Sequence, residues 1–294
     1  MNPAASTALA AAPARLSDFF ELTKPRITFL VLVTTAVGYS VGLTRGFDAA
    51  AFLALLAGTA LVSGGASALN QYWERESDAR MSRTRRRPLP SGRLAPADAL
   101  AFGLVLCAAG FAMLASVNGL TYFLGVAALA SYVLAYTPLK RVTSLCTIVG
   151  AVPGAIPPMM GWAAARGSLD AGAWALIALL FLWQLPHFLA IGWMYREDYA
   201  GAGFPMLTVL DPDGRATGRQ MTLYTAALLP VTILAGALSG TGALFLAGAT
   251  ALGALFFAGA VRFARIRSLS AARAVFLISI LYLPALLGLM VFDR

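Results

Sequence analysis

Asn70, Glu74 and Asp78 follow one another at four-residue spacing. On a helix each step of four drifts only about 40°, so one face would carry an amide and two carboxylates, with Met81 returning to within about 20° of Asn70. Glu76 would point away, at about 240°. Like charges one turn apart oppose each other by a few tenths of a kcal/mol in water and by more at a dry site, so this face calls for a cation. Oxygen ligands in this number suit Mg²⁺, which keeps several waters and binds through one or two carboxylates plus substrate phosphate oxygens. Just downstream, Arg83, Arg85, Arg86 and Arg87 offer donors that match phosphate bidentately. Acids and arginines together point to a metal-bridged diphosphate. The bland alternative is a solvated loop of i, i+4 charges beside a topogenic arginine cluster.

A second polar segment runs from Phe181 to Leu207 and contains Gln184, His187, Glu197 and Asp198. Taking His187 as zero, Asp198 falls at about 20°, Gln184 at about 60° and Tyr195 at about 80°, a shared face provided that Pro186 only kinks the helix. Polar residues inside an apolar helix are costly and by default functional. For His187 three roles stay open: an interhelical hydrogen bond, a base for a bound water, or an axial ligand to iron.

The elements that must hold these residues follow from composition. The chain has 294 residues, 59% apolar and 12% charged, with a mean hydropathy of +0.76. That leaves too few polar side chains to cover a globule, which excludes a soluble enzyme and makes a bilayer the solvent. A hydrocarbon core about 30 Å thick needs roughly 20 helical residues. Nine runs qualify, approximately 27–44, 49–70, 98–116, 119–136, 145–165, 171–194, 221–239, 242–261 and 272–291. The expected fold is therefore all-α, a nine-transmembrane-helix bundle around a central cavity, with 27–294 as one domain behind a flexible cytoplasmic leader, 1–26. Cys107 and Cys146 lie in apolar runs and there is one histidine, so neither a disulfide scaffold nor a Cys/His metal cage is available.

The formal charge is +9, which in a soluble chain would suggest nucleic acid. Here all 22 Lys and Arg except Arg45, Arg166 and Arg294 fall on one side of the nine spans. The asymmetry places that side, with the N-terminus and both long polar loops, in the cytoplasm of a bacterial-type inner membrane, and the C-terminus outside. The basic excess is topology, and no nucleic-acid partner is expected.

Asn70 to Gly92 reads N-x-x-x-E-x-x-x-D-x-x-M-x-R-T-x-x-R-P-L-P-x-G. With TKPRIT at Thr23–Thr28, YTPLKR at Tyr136–Arg141, GAVPGAIPPMMGW at Gly150–Trp162, WQLPHF at Trp183–Phe188 and EDYAGAGFPML at Glu197–Leu207, the chain resembles the intramembrane UbiA-type prenyltransferases, specifically their haem-farnesylating branch. Glu74 stands where the wider family commonly has Asp. The resemblance implies farnesyl transfer from farnesyl diphosphate to a vinyl group of haem B, with haem a substrate rather than a retained cofactor. It also implies Mg²⁺ on Glu74, Asp78 and Asp198, Asn70 orienting, and Arg83, Arg87, Lys140 and Arg141 clamping the diphosphate. His187 would act on the acceptor side, and Tyr72, Tyr136, Trp183 and Tyr199 would be candidates to stabilise the prenyl cation. Both substrates would arrive from membrane lipid, and a haem-oxidising membrane enzyme would be the downstream partner. A sibling acting on a quinone precursor or a chlorophyll is the nearest rival. A secondary transporter is the rival of a different class, disfavoured because the carboxylates lie at helix ends rather than near mid-membrane.

Overall fold

The structure, a computed structural model, describes residues 15–44 and 46–294. The helices are α1 (Leu16–Leu22), α2 (Pro25–Gly42), α3 (Ala49–Arg80), α4 (Pro96–Val117), α5 (Gly119–Ala130), α6 (Thr137–Leu139), α7 (Cys146–Arg166), α8 (Ala171–Met194), α9 (Arg196–Gly201), α10 (Leu207–Leu210), α11 (Arg215–Ser239), α12 (Ala243–Ile266) and α13 (Leu269–Phe292). A π-helical stretch, Ser131–Tyr136, joins α5 to α6 without a break. Among the described residues nine helices are long and apolar enough to cross a membrane, with Gly119–Leu139 counted as one. These are the nine spans that hydropathy predicts.

Several helices outrun their apolar runs. α3 continues from 70 to Arg80 and α11 begins at Arg215, because charged side chains are stable in a helix once it leaves hydrocarbon; hydropathy marks only the lipid-embedded part. At 32 residues α3 spans about 48 Å and overshoots a 30 Å core by several turns.

Local chemistry sets the helix starts. Asp48, Asn118, Asp170 and Ser268 accept hydrogen bonds from the first free amides of α3, α5, α8 and α13, satisfying donors that lipid cannot. α7 and α8 are the most enclosed spans. α2 lies almost backbone to backbone on α7: a Cβ at Gly38 would stand 2.0 Å from the Pro158 carbonyl oxygen, and one at Gly161 2.0 Å from that of Thr35. Only glycine permits this approach, the small-residue packing on which lipid-embedded bundles depend.

The leader differs from expectation. Residues 1–14 lie outside the described residues, but Leu16–Leu22 form a helix rather than a flexible tail. Leu22 is fully buried with Ala68, Leu89, Leu94 and Ala99, and the Gln71 amide donates to its carbonyl at 2.8 Å. Arg93 pairs with Asp18 and with Glu21. A short amphipathic segment gains its order from these tertiary partners, which a sequence pattern does not display.

Candidate active site

The end of α3, the start of α2, α6 and the loop after it meet at one end of the bundle. α3 is helical through Asp78, and Asn70, Glu74 and Asp78 are all buried, at 2%, 3% and 2% exposure. The Glu76 side chain is 73% exposed and lies 3.7 Å from Arg75. The four-residue spacing thus delivers the face it predicts.

Each polar group on that face has a cationic partner from elsewhere in the chain. Lys140 Nζ donates to Glu74 Oε2 and Oε1 at 3.1 and 3.2 Å. Arg87 Nη1 donates to Asp78 Oδ2 at 2.7 Å. Lys24 Nζ donates to Asn70 Oδ1 at 3.0 Å, while Asn70 Nδ2 donates to Thr137 Oγ1 at 3.1 Å. The π-helical stretch before Thr137 turns this residue and Lys140 towards α3, an irregularity of the kind that collects at functional sites. Tyr132 and Tyr136 stack within it, their ring centroids 5.6 Å apart.

Lys24 is the residue that sequence reasoning missed as part of the site, having counted it only as a topological charge. Its backbone is left-handed, with φ 48°, a conformation costly for a residue with a Cβ and frequent where function imposes it. The residue is half-buried, but its ammonium reaches inwards. Burial, then repulsion from Arg87, bring its pKa down to about 7 despite the attraction of Glu74 and Asp78. An anion bound here would raise that value again, so the site gains positive charge as an anionic ligand arrives. Burial by itself would lower Lys140 too, but the adjoining Glu74 carboxylate holds it above the ordinary lysine value. The sequence signal was its place in the TKPRIT string at Thr23–Thr28, which by itself assigns the lysine no role; its left-handed backbone shows only in the structure.

The other predicted residues are placed differently. The Asp198 carboxylate accepts from Ser82 Oγ at 2.8 Å and from the backbone amides of Ser82 and Arg83 at 3.3 and 3.4 Å. These bonds, the Ser82 hydroxyl first, lower its pKa. Arg83 Nη2 reaches the Tyr199 hydroxyl at 3.2 Å. Arg141 is exposed and donates to the Trp73 carbonyl oxygen at 3.3 Å, outside the carboxylate cluster. Of the aromatic candidates, Tyr199 lies 5.9 Å from Lys140 Nζ and Tyr136 adjoins the site through its Tyr132 stack. Tyr72 packs instead with the Leu22 cluster, and Trp183 is deeper, stacked on His187.

The face shared by Gln184, His187 and Asp198 is not preserved. α8 ends at Met194 and Tyr195 leaves helical geometry, with φ −116° and ψ 24°, so a wheel drawn through to Asp198 loses its phase. Above that break the two polar residues diverge. Gln184 Nε2 donates to the Ala151 carbonyl on α7 at 3.2 Å, and His187 Nδ1 lies 2.7 Å from Ser279 Oγ on α13.

For Mg²⁺ the donor set fits in one specific manner. Among the described residues no three His, Cys, Asp or Glu side chains gather as a metal cage, and Asp198 stays with Ser82. Two enclosed carboxylates one turn apart remain, a pair that holds Mg²⁺ when phosphate oxygens complete the shell. Three cations, Lys24, Arg87 and Lys140, face two carboxylates, so the cluster can exchange internal ion pairs for a metal and a polyanion.

Known proteins resemble this chain over nearly its whole length. A protoheme IX farnesyltransferase of Solibacter usitatus (strain Ellin6076) is 50% identical over 289 residues, which cover 95% of this chain and 99% of its own. A solved structure concerned with digeranylgeranylglyceryl phosphate synthase matches 95% of this chain and 98% of its own, with TM-score 0.80 and 15% identity. That of a UbiA homolog from Archaeoglobus fulgidus bound to GPP and Mg²⁺ matches 93% and 99%, with TM-score 0.64 and 14% identity. These two speak for the fold alone. The sequence pattern of the UbiA prenyltransferase family spans residues 31–283, from within α2 to within α13, which takes in α3 and the paired carboxylates, and the chain belongs to that family.

Proposed function

We propose that this integral membrane protein transfers the farnesyl group of farnesyl diphosphate to a vinyl group of haem B, water adding to the product, to give haem O and diphosphate. The observation that carries the reading is the enclosed face of Asn70, Glu74 and Asp78 with its three cations, in a chain half identical to a protein named for this reaction.

Ionisation breaks the bond between the allylic carbon and the diphosphate oxygen, and the electron pair leaves with the diphosphate. Lys140, Arg87 and Lys24 turn from the protein's own groups to the phosphate oxygens, neutralising charge as it develops. Mg²⁺ on Glu74 and Asp78, when bound, supplies further charge neutralisation at the leaving group. Arg83 lies over the Tyr195 ring at 5.1 Å, at the mouth, where Asp198 holds the Ser82–Arg83 turn in place. Asp198 thus acts on the diphosphate through Arg83, and Glu74 and Asp78 carry the metal. The farnesyl cation must meet haem before it meets water, and the apolar bundle interior excludes water from its path. Tyr136 and Tyr199 present aromatic faces beside the cluster. The vinyl electrons form the new carbon–carbon bond, and the cation left on haem takes water and releases a proton. A fifteen-carbon chain carries roughly 12 kcal/mol of partitioning at about 0.8 kcal/mol per carbon, so farnesyl diphosphate is supplied from the bilayer, and haem reaches the site by the same route. The product suits a haem-oxidising membrane enzyme as the next consumer.

Mass spectrometry of membranes given haem B, farnesyl diphosphate and Mg²⁺ checks the reading. Haem carrying a hydroxyethylfarnesyl chain is expected, and farnesylation of a quinone precursor or chlorophyll with haem untouched would replace it. The active end is cytoplasmic in an inner membrane, on the charge asymmetry. Reporter fusions at Pro90 and Asp211 should read cytoplasmic and one after Arg294 external; an external reading at Pro90 reverses the orientation.

A further inference from the structure

His187 and Ser279 face each other from α8 and α13, within the lipid-embedded part of the bundle. Ser279 is fully buried. Its Oγ lies 2.6 Å from the Phe276 carbonyl oxygen on its own helix and 2.7 Å from His187 Nδ1. A serine hydroxyl has a single proton, and a carbonyl has none. If that proton went to Nδ1, Oγ and the carbonyl would meet as two acceptors at 2.6 Å with nothing between them. The proton therefore lies on the carbonyl bond, and Oγ accepts from Nδ1–H. A neutral imidazole that donates through Nδ1 carries its lone pair on Nε2.

The ring is fixed in other ways too. Trp183 and Phe276 stack on it, each with centroids 5.2 Å away and planes inclined by 20° and 27°. Trp183 is itself held, its Nε1 donating to the Ser279 carbonyl at 2.9 Å. Two aromatic faces and one hydrogen bond thus settle orientation and tautomer together. Among the described residues Nε2 has no hydrogen-bond partner and is not one of the fully sealed polar atoms, so its lone pair is uncommitted. An apolar groove of about 290 Å³ meets the stack at Phe276 and carries Arg273 on its wall, a cation suited to a carboxylate-bearing ligand.

We infer that Ser279 is a positioning residue: it holds His187 as the Nδ1–H tautomer, so that Nε2 ligates the iron of the haem acceptor. This rests on haem being the acceptor. A hydrogen bond accepted from the far nitrogen of a ligating histidine orients the ring and raises its basicity, and losing such a partner typically weakens metal binding 10–100-fold.

The test titrates haem B into the purified full chain without farnesyl diphosphate and reads the ferrous iron–histidine stretch by resonance Raman, alongside haem affinity. The stretch should appear in the parent, vanish in His187→Ala and move to lower frequency in Ser279→Ala, with haem held about tenfold more weakly. Ser279→Thr, which keeps the hydroxyl, should restore both. The KM for farnesyl diphosphate should stay within about twofold of the parent throughout, a split that general loss of structure would not produce. A stretch unchanged in Ser279→Ala overturns the positioning role. Haem bound without a histidine stretch in the parent overturns the ligation. A parent that neither binds nor farnesylates haem instead removes the proposed function itself.

Discussion

Alanine at Glu74 or at Asp78 is expected to lower Mg²⁺-dependent turnover at least about a hundredfold, while Glu76→Ala stays within about twofold. Three carboxylates within five residues of one helix make this a test of direction rather than of charge. Glu74 and Asp78 are buried and each binds a cation from another element, whereas the Glu76 side chain is 73% exposed. Removing either inner carboxylate would delete half of the proposed metal ligands and leave Lys140 or Arg87 without its partner. Raising Mg²⁺ should recover part of the loss in Glu74→Asp, which keeps the charge on a shorter arm. Steady-state kinetics with a Mg²⁺ titration on the four variants decides the matter. Equal losses at Glu74, Asp78 and Glu76 would sink the one-face arrangement.

Lys140→Met is expected to damage both stability and turnover, by separable routes. Among the described residues its ammonium is the only group hydrogen-bonded to the Glu74 carboxylate, and the two side chains are 10% and 4% exposed. Removing one partner of such a pair leaves an uncompensated buried charge, at about 3–5 kcal/mol. The double variant Glu74→Gln with Lys140→Met removes both charges and should recover most of that stability. Turnover should not return, because the double variant lacks a proposed metal ligand and a proposed diphosphate donor together. Thermal unfolding in detergent and the KM for farnesyl diphosphate give the two readouts, and the KM in Lys140→Met should rise at least about tenfold. Lost stability with an unaltered KM would reduce Lys140 to a structural counter-ion.

The amino-acid sequence by itself determined the features that depend on neighbours along the chain. The number of spans followed from hydropathy, because a helix that crosses lipid must be apolar for its whole embedded length. The inward face of Asn70, Glu74 and Asp78, and the outward turn of Glu76, followed from helical period, because α3 stays regular from Ala49 to Arg80. Where local geometry broke, period ceased to be a guide: the turn at Tyr195 separated Asp198 from the phase of His187. What only the tertiary structure decided was which groups from distant segments face one another. Lys140 and Arg141 are neighbours in sequence, yet one reaches Glu74 and the other turns out to Trp73. Lys24 looked like a topological charge until a left-handed residue ahead of α2 aimed it at Asn70, 46 positions away. Gln184 and His187, three residues apart, went to α7 and α13. The physical reason is the same each time: a buried polar side chain takes the partner that packing brings within hydrogen-bond reach, and packing depends on the whole bundle rather than on any one stretch of it.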